Sequence, residues 1–125
     1  MAVVLIVDDD LAVGSSLAAF LEDYGHRVWL SSDGEAALES VAEHPIDIAV
    51  VDLRLPMMNG EQLIHQLHGR FGVRHFLIHT GAVHYSLPQD LVQIGLTSRQ
   101  VLYKPLADLN MLLDAIAVEL ADQHG

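Results

Sequence analysis

Four short apolar runs, each ending in or followed by a polar or charged residue, constrain this chain more than any other feature. Val3 to Val7 is closed by Asp8-Asp9-Asp10, and Ile46 to Asp52 ends in its own aspartate. Phe76 to Thr80 ends in a threonine, and Val101 to Tyr103 runs directly into Lys104. None approaches the roughly 18 apolar residues of a membrane-spanning helix, and their β-branched content marks buried strands. A weaker fifth run, Arg27 to Leu30, has the same character.

Between the runs the apolar spacing changes to that of helices. Val13, Leu17, Phe20, Leu21 and Tyr24 lie on one face of a helix over Leu11 to Tyr24, with Gly25 placed as a left-handed cap. Ser32-Asp33-Gly34-Glu35 offers a cap for a second helix through Ala37, Leu38 and Val41, which stops before Pro45. Asn59-Gly60-Glu61 opens a third carrying Leu63, Ile64 and Leu67. Ser86-Leu87-Pro88 reads as a cap plus first-turn proline for a short fourth, Leu87 to Ile94. The last helix starts near Asp108, with a stripe of Leu109, Leu112, Leu113, Ile116 and Leu120 widened by Met111, Ala115 and Val118. Its apolar face reads as core rather than dimer interface. Strict alternation of strands and helices predicts an α/β fold: one doubly wound parallel sheet of order 2-1-3-4-5, with five helices on its two faces.

Composition narrows the function. With 125 residues, 51% apolar, the chain suits a single domain over residues 1–125. Its 17 acids against 6 bases argue against nucleic-acid binding and against an anionic membrane surface. There is no cysteine, hence no thiolate metal site. The first apolar run has no basic residue before it, so it reads as a strand and not a signal peptide, and the expected location is the cytoplasm. Lys104 is the only lysine.

In an open α/β sheet, ligands bind at the carboxyl ends of the strands, where the strand order reverses. That edge collects Asp8, Asp9, Asp52, Thr80 and Lys104. Close carboxylates need a cation, and an all-oxygen donor set favours Mg²⁺ or Mn²⁺. Lys104 can hold a phosphate oxygen and Thr80 can donate a hydroxyl. The array has the makings of a phosphoryl clamp with an aspartate nucleophile.

The acid pair after the first strand, the Asp52–Pro56–Gly60 spacing, Thr80 before small residues, and Lys104-Pro105 together resemble the receiver domain of two-component response regulators. The resemblance covers essentially the whole chain and implies a flavodoxin-like fold. It implies Asp52 as phosphoacceptor, Asp9 as direct metal ligand and Asp8 as an acid acting through water. The backbone carbonyl of Arg54 would be a further ligand, Thr80 the switch hydroxyl and Lys104 the phosphate contact. The implied donor is a phosphohistidine on a sensor histidine kinase or phosphotransfer protein. The implied output is a changed surface of fourth helix, fifth strand and fifth helix, read by a downstream protein or output domain; a homodimer through that surface stays open. Such a protein is not a turnover enzyme, although it catalyses its own phosphorylation. No output domain is expected within this sequence, and whether it stands alone or belongs to a longer regulator or hybrid kinase stays open.

Departures from the family pattern concern the output. The position three before Lys104, an aromatic in most receivers, is Val101. Tyr103 precedes Lys104 directly and should face away from it. Pro88 shortens the fourth helix. Ala82 cannot position a water, which favours a long-lived phosphorylated state. His79 and His84 flank Thr80 and read as packed or solvated; the competing reading is pH tuning of the site. Two other functions stay open. A haloacid-dehalogenase-type phosphatase would read Asp8-x-Asp10 as its acid pair with Asp8 as nucleophile, though Ala12 stands where that family has threonine. A receiver-like binding module would ignore phosphate altogether.

Overall fold

A computed structural model describes residues 1–121; the last four residues of the expected domain lie outside them. Five strands, β1 Val3–Val7, β2 Arg27–Ser31, β3 Ile48–Val51, β4 Phe76–Thr80 and β5 Val101–Tyr103, alternate with five helices. The helices are α1 Leu11–Asp23, α2 Gly34–Glu43, α3 Gly60–Phe71, α4 Gln89–Gln93 and α5 Asn110–Ala121. The sheet is parallel throughout and runs β2-β1-β3-β4-β5, the expected order. Among the described residues no helix is long and apolar enough to cross a membrane.

Strand residues alternate between two cores. Leu5, Val7, Ala49, Val51, Phe76 and Ile78 face Leu63, Ile64, Leu67 and Leu91. Val4, Ile6, Ile48, Val50 and Leu77 face Leu17, Leu21, Leu112 and Ile116. This period of two makes the central strands apolar on both faces, as a doubly covered sheet requires.

Local chemistry sets most element ends. The Asp10 carboxylate caps α1, accepting from the amides of Ala12 and Val13. Asn59 and Gln62 form a reciprocal capping box on α3, and Gly72 ends that helix at φ 69°. The α2 cap is Asp33, which accepts from Ala36 N, rather than Ser32 with Glu35. Helix α4 is shorter than expected: Pro88 is its N-cap with extended backbone, and Leu87, as the residue before a proline, is kept out of the helix. β3 begins at Ile48 rather than Ile46, and α5 at Asn110, whose amide donates to Asp108 Oδ1. The stripe on α5 is narrower than expected. Met111 and Val118 are exposed, whereas Glu119 is buried with its carboxylate 3.0 Å from His75 Nδ1.

One approach is tighter than any side chain allows. Gly60 lies against the chain leaving β3: a Cβ there would press on the Asp52 carbonyl oxygen and stand 2.8 Å from Leu53 Cα. The amide of Gly60 donates to Leu53 O at 2.9 Å, so α3 starts directly on the segment that carries Asp52.

Candidate functional site

Backbone hydrogen bonds continue past the strand ends and fix where the polar residues stand. Asp52 N donates to Val7 O (2.9 Å), Asp8 N to Ser31 O (3.1 Å), and Lys104 N to Thr80 O (2.7 Å). The sheet therefore delivers Asp8, Asp52, Thr80 and Lys104 to one edge, beside the crevice between β1 and β3.

At that edge Lys104 Nζ lies 2.9 Å from Asp8 Oδ2 and 3.1 Å from Asp52 Oδ2. The other oxygens are also engaged: Asp8 Oδ1 accepts from Asp10 N (2.9 Å) and Asp52 Oδ1 from Arg54 N (3.2 Å). Both carboxylates are buried, at 1% and 5% exposure, which would be costly without these partners. Asp9 is exposed, and carboxylate oxygens of Asp8, Asp9 and Asp52 all lie within 4.8 Å of one another. Small side-chain rotations would let one ion reach all three. Hard oxygen donors with excess negative charge are what Mg²⁺ takes, so the residues suit the ion expected from sequence.

Thr80 is fully buried, and its hydroxyl oxygen accepts from Ala82 N at 3.0 Å. Its link to Lys104 runs through the backbone. Asp10, the second acid of the phosphatase reading, is committed to capping α1.

Burial raises the Asp52 pKa above 3.8, and the Asp8 charge adds to this. The Arg54 amide and the Lys104 ammonium offset it only in part. For Lys104, burial works against the charged form, but the bonds to Asp8 and Asp52 outweigh it and raise the pKa above 10.5. The two signs differ. Ionised Asp52 lowers stability as pH rises from 3.8 through its folded pKa, whereas charged Lys104 adds stability that is lost only above 10.5. Carboxyl-carbon NMR titration should give Asp52 a midpoint above 3.8 in metal-free protein. Mg²⁺ affinity should then fall on acidification through that midpoint; a midpoint at or below 3.8 contradicts the geometry.

His79 does not tune the site near neutrality. Burial, followed by the Lys104 charge, lowers its pKa to about 4, so the imidazole is neutral at ordinary pH. Among the described residues neither ring nitrogen has a hydrogen-bond partner.

Sequence reasoning missed the contacts that hold the β4–α4 connection and α4 itself to α3. Tyr85 Oη donates to Glu61 Oε2, and His65 Nε2 lies 2.7 Å from Asp90 Oδ2. Partners 24 and 25 residues apart leave no periodic trace. Tyr103 does face away from Lys104: its hydroxyl reaches Tyr85 O at 3.4 Å. It stands two residues after Val101 and so on the same side of β5, while Val101 itself packs into the core with Ile78 and Leu91.

The family model for the response regulator receiver domain matches residues 4–117. The response regulator GtcR of Aneurinibacillus migulanus is 35% identical over 68 residues, which are 54% of this chain and 28% of that protein. This chain thus matches under a third of the length of that curated relative. A CheY-like receiver domain protein from Methanospirillum hungatei superposes with a TM-score of 0.83 at 28% identity, covering 98% of this chain and 96% of the other. Chemotaxis response regulator CheY4 of Vibrio cholerae gives 0.82 at 25% identity, covering 94% and 98%. A match over nearly the whole chain, with the acids and lysine of the strand ends drawn together, places this protein in the response regulator receiver domain family.

Proposed function

We propose that this domain is a phosphorylation-controlled switch in which Asp52 accepts a phosphoryl group from a phosphohistidine on a sensor histidine kinase or phosphotransfer protein. The observation that carries the reading is the bridge from Lys104 to both Asp8 and Asp52, with Asp9 alongside. An Asp52 oxygen attacks phosphorus as the N–P bond breaks, and the leaving imidazole keeps the electron pair and takes up a proton. Lys104 exchanges its bond to Asp52 for one to a phosphoryl oxygen. Thr80 turns its hydroxyl from Ala82 to the phosphoryl group. Mg²⁺, held by Asp8, Asp9, Asp52 and the Arg54 carbonyl, would neutralise charge developing on the phosphoryl oxygens. Movement at Thr80 and Lys104 then reaches the α4, β5 and α5 face, where a downstream protein or output domain would read it. The domain turns over no other substrate in this reading, and its setting is cytoplasmic.

Titration with Mg²⁺ and beryllofluoride, followed by amide NMR, tests this. Shifts are expected at Asp52, Thr80 and the β4–α4 connection; an unchanged spectrum around Asp52 would sink the switch. A second measurement concerns the bridge. Lys104→Ala leaves two buried carboxylates uncompensated and should cost about 2–3 kcal/mol in urea denaturation without metal. Mg²⁺ should still bind the variant and restore more stability to it than to the wild type. Equal effects on both would mean that Lys104 does not neutralise the acids.

A further inference from the structure

Val101 stands where most receivers carry an aromatic, and it is packed into the core beside Ile78 and Leu91, so β5 offers no ring to swing at that position. The tyrosine nearest Thr80 along the chain is Tyr85, in the β4–α4 connection. Its ring is half-buried against the same core, and its hydroxyl donates to Glu61 Oε2 on the first turn of α3. Burial, followed by the bond to Glu61, raises the Tyr85 pKa above 10.0, so the phenol keeps its proton and stays the donor. Four residues along α3, and so on the same face, His65 Nε2 lies 2.7 Å from Asp90 Oδ2. That second pair is exposed and contributes little, whereas a half-buried hydroxyl on a carboxylate belongs to the stronger class of hydrogen bond.

The two ends of the Tyr85–Glu61 bond differ in their freedom to move. Helix α3 starts on the chain leaving β3: the Gly60 amide donates to Leu53 O at 2.9 Å, and a Cβ on Gly60 would stand 2.8 Å from Leu53 Cα. Glu61 is therefore fixed to the segment that carries Asp52. At the other end, Ala82 N donates to Thr80 Oγ1 at 3.0 Å, and Tyr85 follows three residues later. Gly81, Val83 and His84, around and between these attachments, are exposed. In the proposed switch Thr80 gives up Ala82 for the phosphoryl group, and the connection then shifts against α3. A bond from a part that moves to a part that stays opposes the movement. It weights the equilibrium toward the unphosphorylated arrangement by its difference in strength between the two states.

We infer that Tyr85 and Glu61 form a latch that holds the β4–α4 connection in its resting position and breaks on activation. Tyr85 is then a positioning residue, acting through the connection and not on the phosphoryl group. The latch rests on the phosphorylation reading, which its test keeps separate.

Amide NMR through a beryllofluoride titration at saturating Mg²⁺ compares the wild type with Tyr85→Phe, which keeps the ring and loses the hydroxyl. The variant should bind beryllofluoride roughly tenfold more tightly, the worth of one charge-assisted hydrogen bond. Before any is added, its Leu91 and Val92 amides should already stand part-way along the line from free to bound wild-type positions. Glu61→Ala should act likewise, and combining the two substitutions should add nothing further. Glu61→Gln keeps an acceptor and should stay closer to the wild type. A merely structural contact would lower the urea midpoint without moving the amides along that line. An affinity unchanged or weakened in Tyr85→Phe, α4 amides that leave the line or stay put, or additive effects of the two substitutions would each overturn the latch. A wild type silent around Asp52 removes the phosphorylation reading and the latch together. One that responds there, with Tyr85→Phe responding identically, removes the latch alone.

Discussion

Asp52→Ala should bring labelling by acetyl phosphate down to background, read by intact-protein mass spectrometry. Asp8 and Asp9 remain as acids in this variant, yet neither replaces Asp52. Asp8 Oδ1 is held by the Asp10 amide and its other oxygen by Lys104, which keeps no second acid to share after the substitution. Asp9 is exposed and, among the described residues, has no comparable clamp. Folding should survive, because the change removes a buried carboxylate whose raised pKa marks its ionised form as a burden on the native state. A label retained on Asp8 would instead favour the phosphatase reading. A protein still labelled elsewhere at wild-type rate would remove the basis for assigning Asp52.

The second large effect is structural. Gly60→Ala adds one methyl group where Leu53 Cα would be 2.8 Å away and the Asp52 carbonyl oxygen nearer still. Both obstacles are backbone, so no side-chain rotation relieves the clash. Either α3 lifts from its first turn or the Asp52 segment shifts. Overpacking of this kind should cost about 2–3 kcal/mol, measured as a lower urea midpoint at unchanged slope. The variant should also bind Mg²⁺ more weakly, since the displaced backbone carries Asp52 and Arg54. A loss below about 0.5 kcal/mol, the usual surface-substitution scale, would show that the approach is looser than described.

The sequence made the sheet legible because a parallel sheet covered on both faces needs runs that are apolar at successive positions; Val3–Val7 has that form throughout and Phe76–Thr80 has it through Ile78. The strand-end residues were legible for a related reason. A charged or polar residue closing such a run has nowhere to go but the carboxyl edge. Element ends were read less well wherever two local signals competed. Ser32 and Asp33 both suit a cap, and the side chain that reached an amide was Asp33. At Ser86-Leu87-Pro88 the proline's restriction on the residue before it outweighed the cap motif. Long-range pairs could not be read at all. Nothing near Glu119 indicates that His75, 44 residues away, makes its burial tolerable, and Tyr85 and Glu61 carry no signal of each other. The same holds for Lys104. Its isolation in the composition marks it as special, but only the fold reveals that it ties together the acids of two strands.

In the proposed switch that tie has a consequence for when the domain can respond. An acidic pit lacking its own positive charge would spring apart whenever divalent ions ran short, and would need rebuilding before each signal. Here a tethered ammonium keeps the cup assembled through such intervals. Fluctuations in cation supply would therefore alter how readily the group arrives without erasing the shape that receives it.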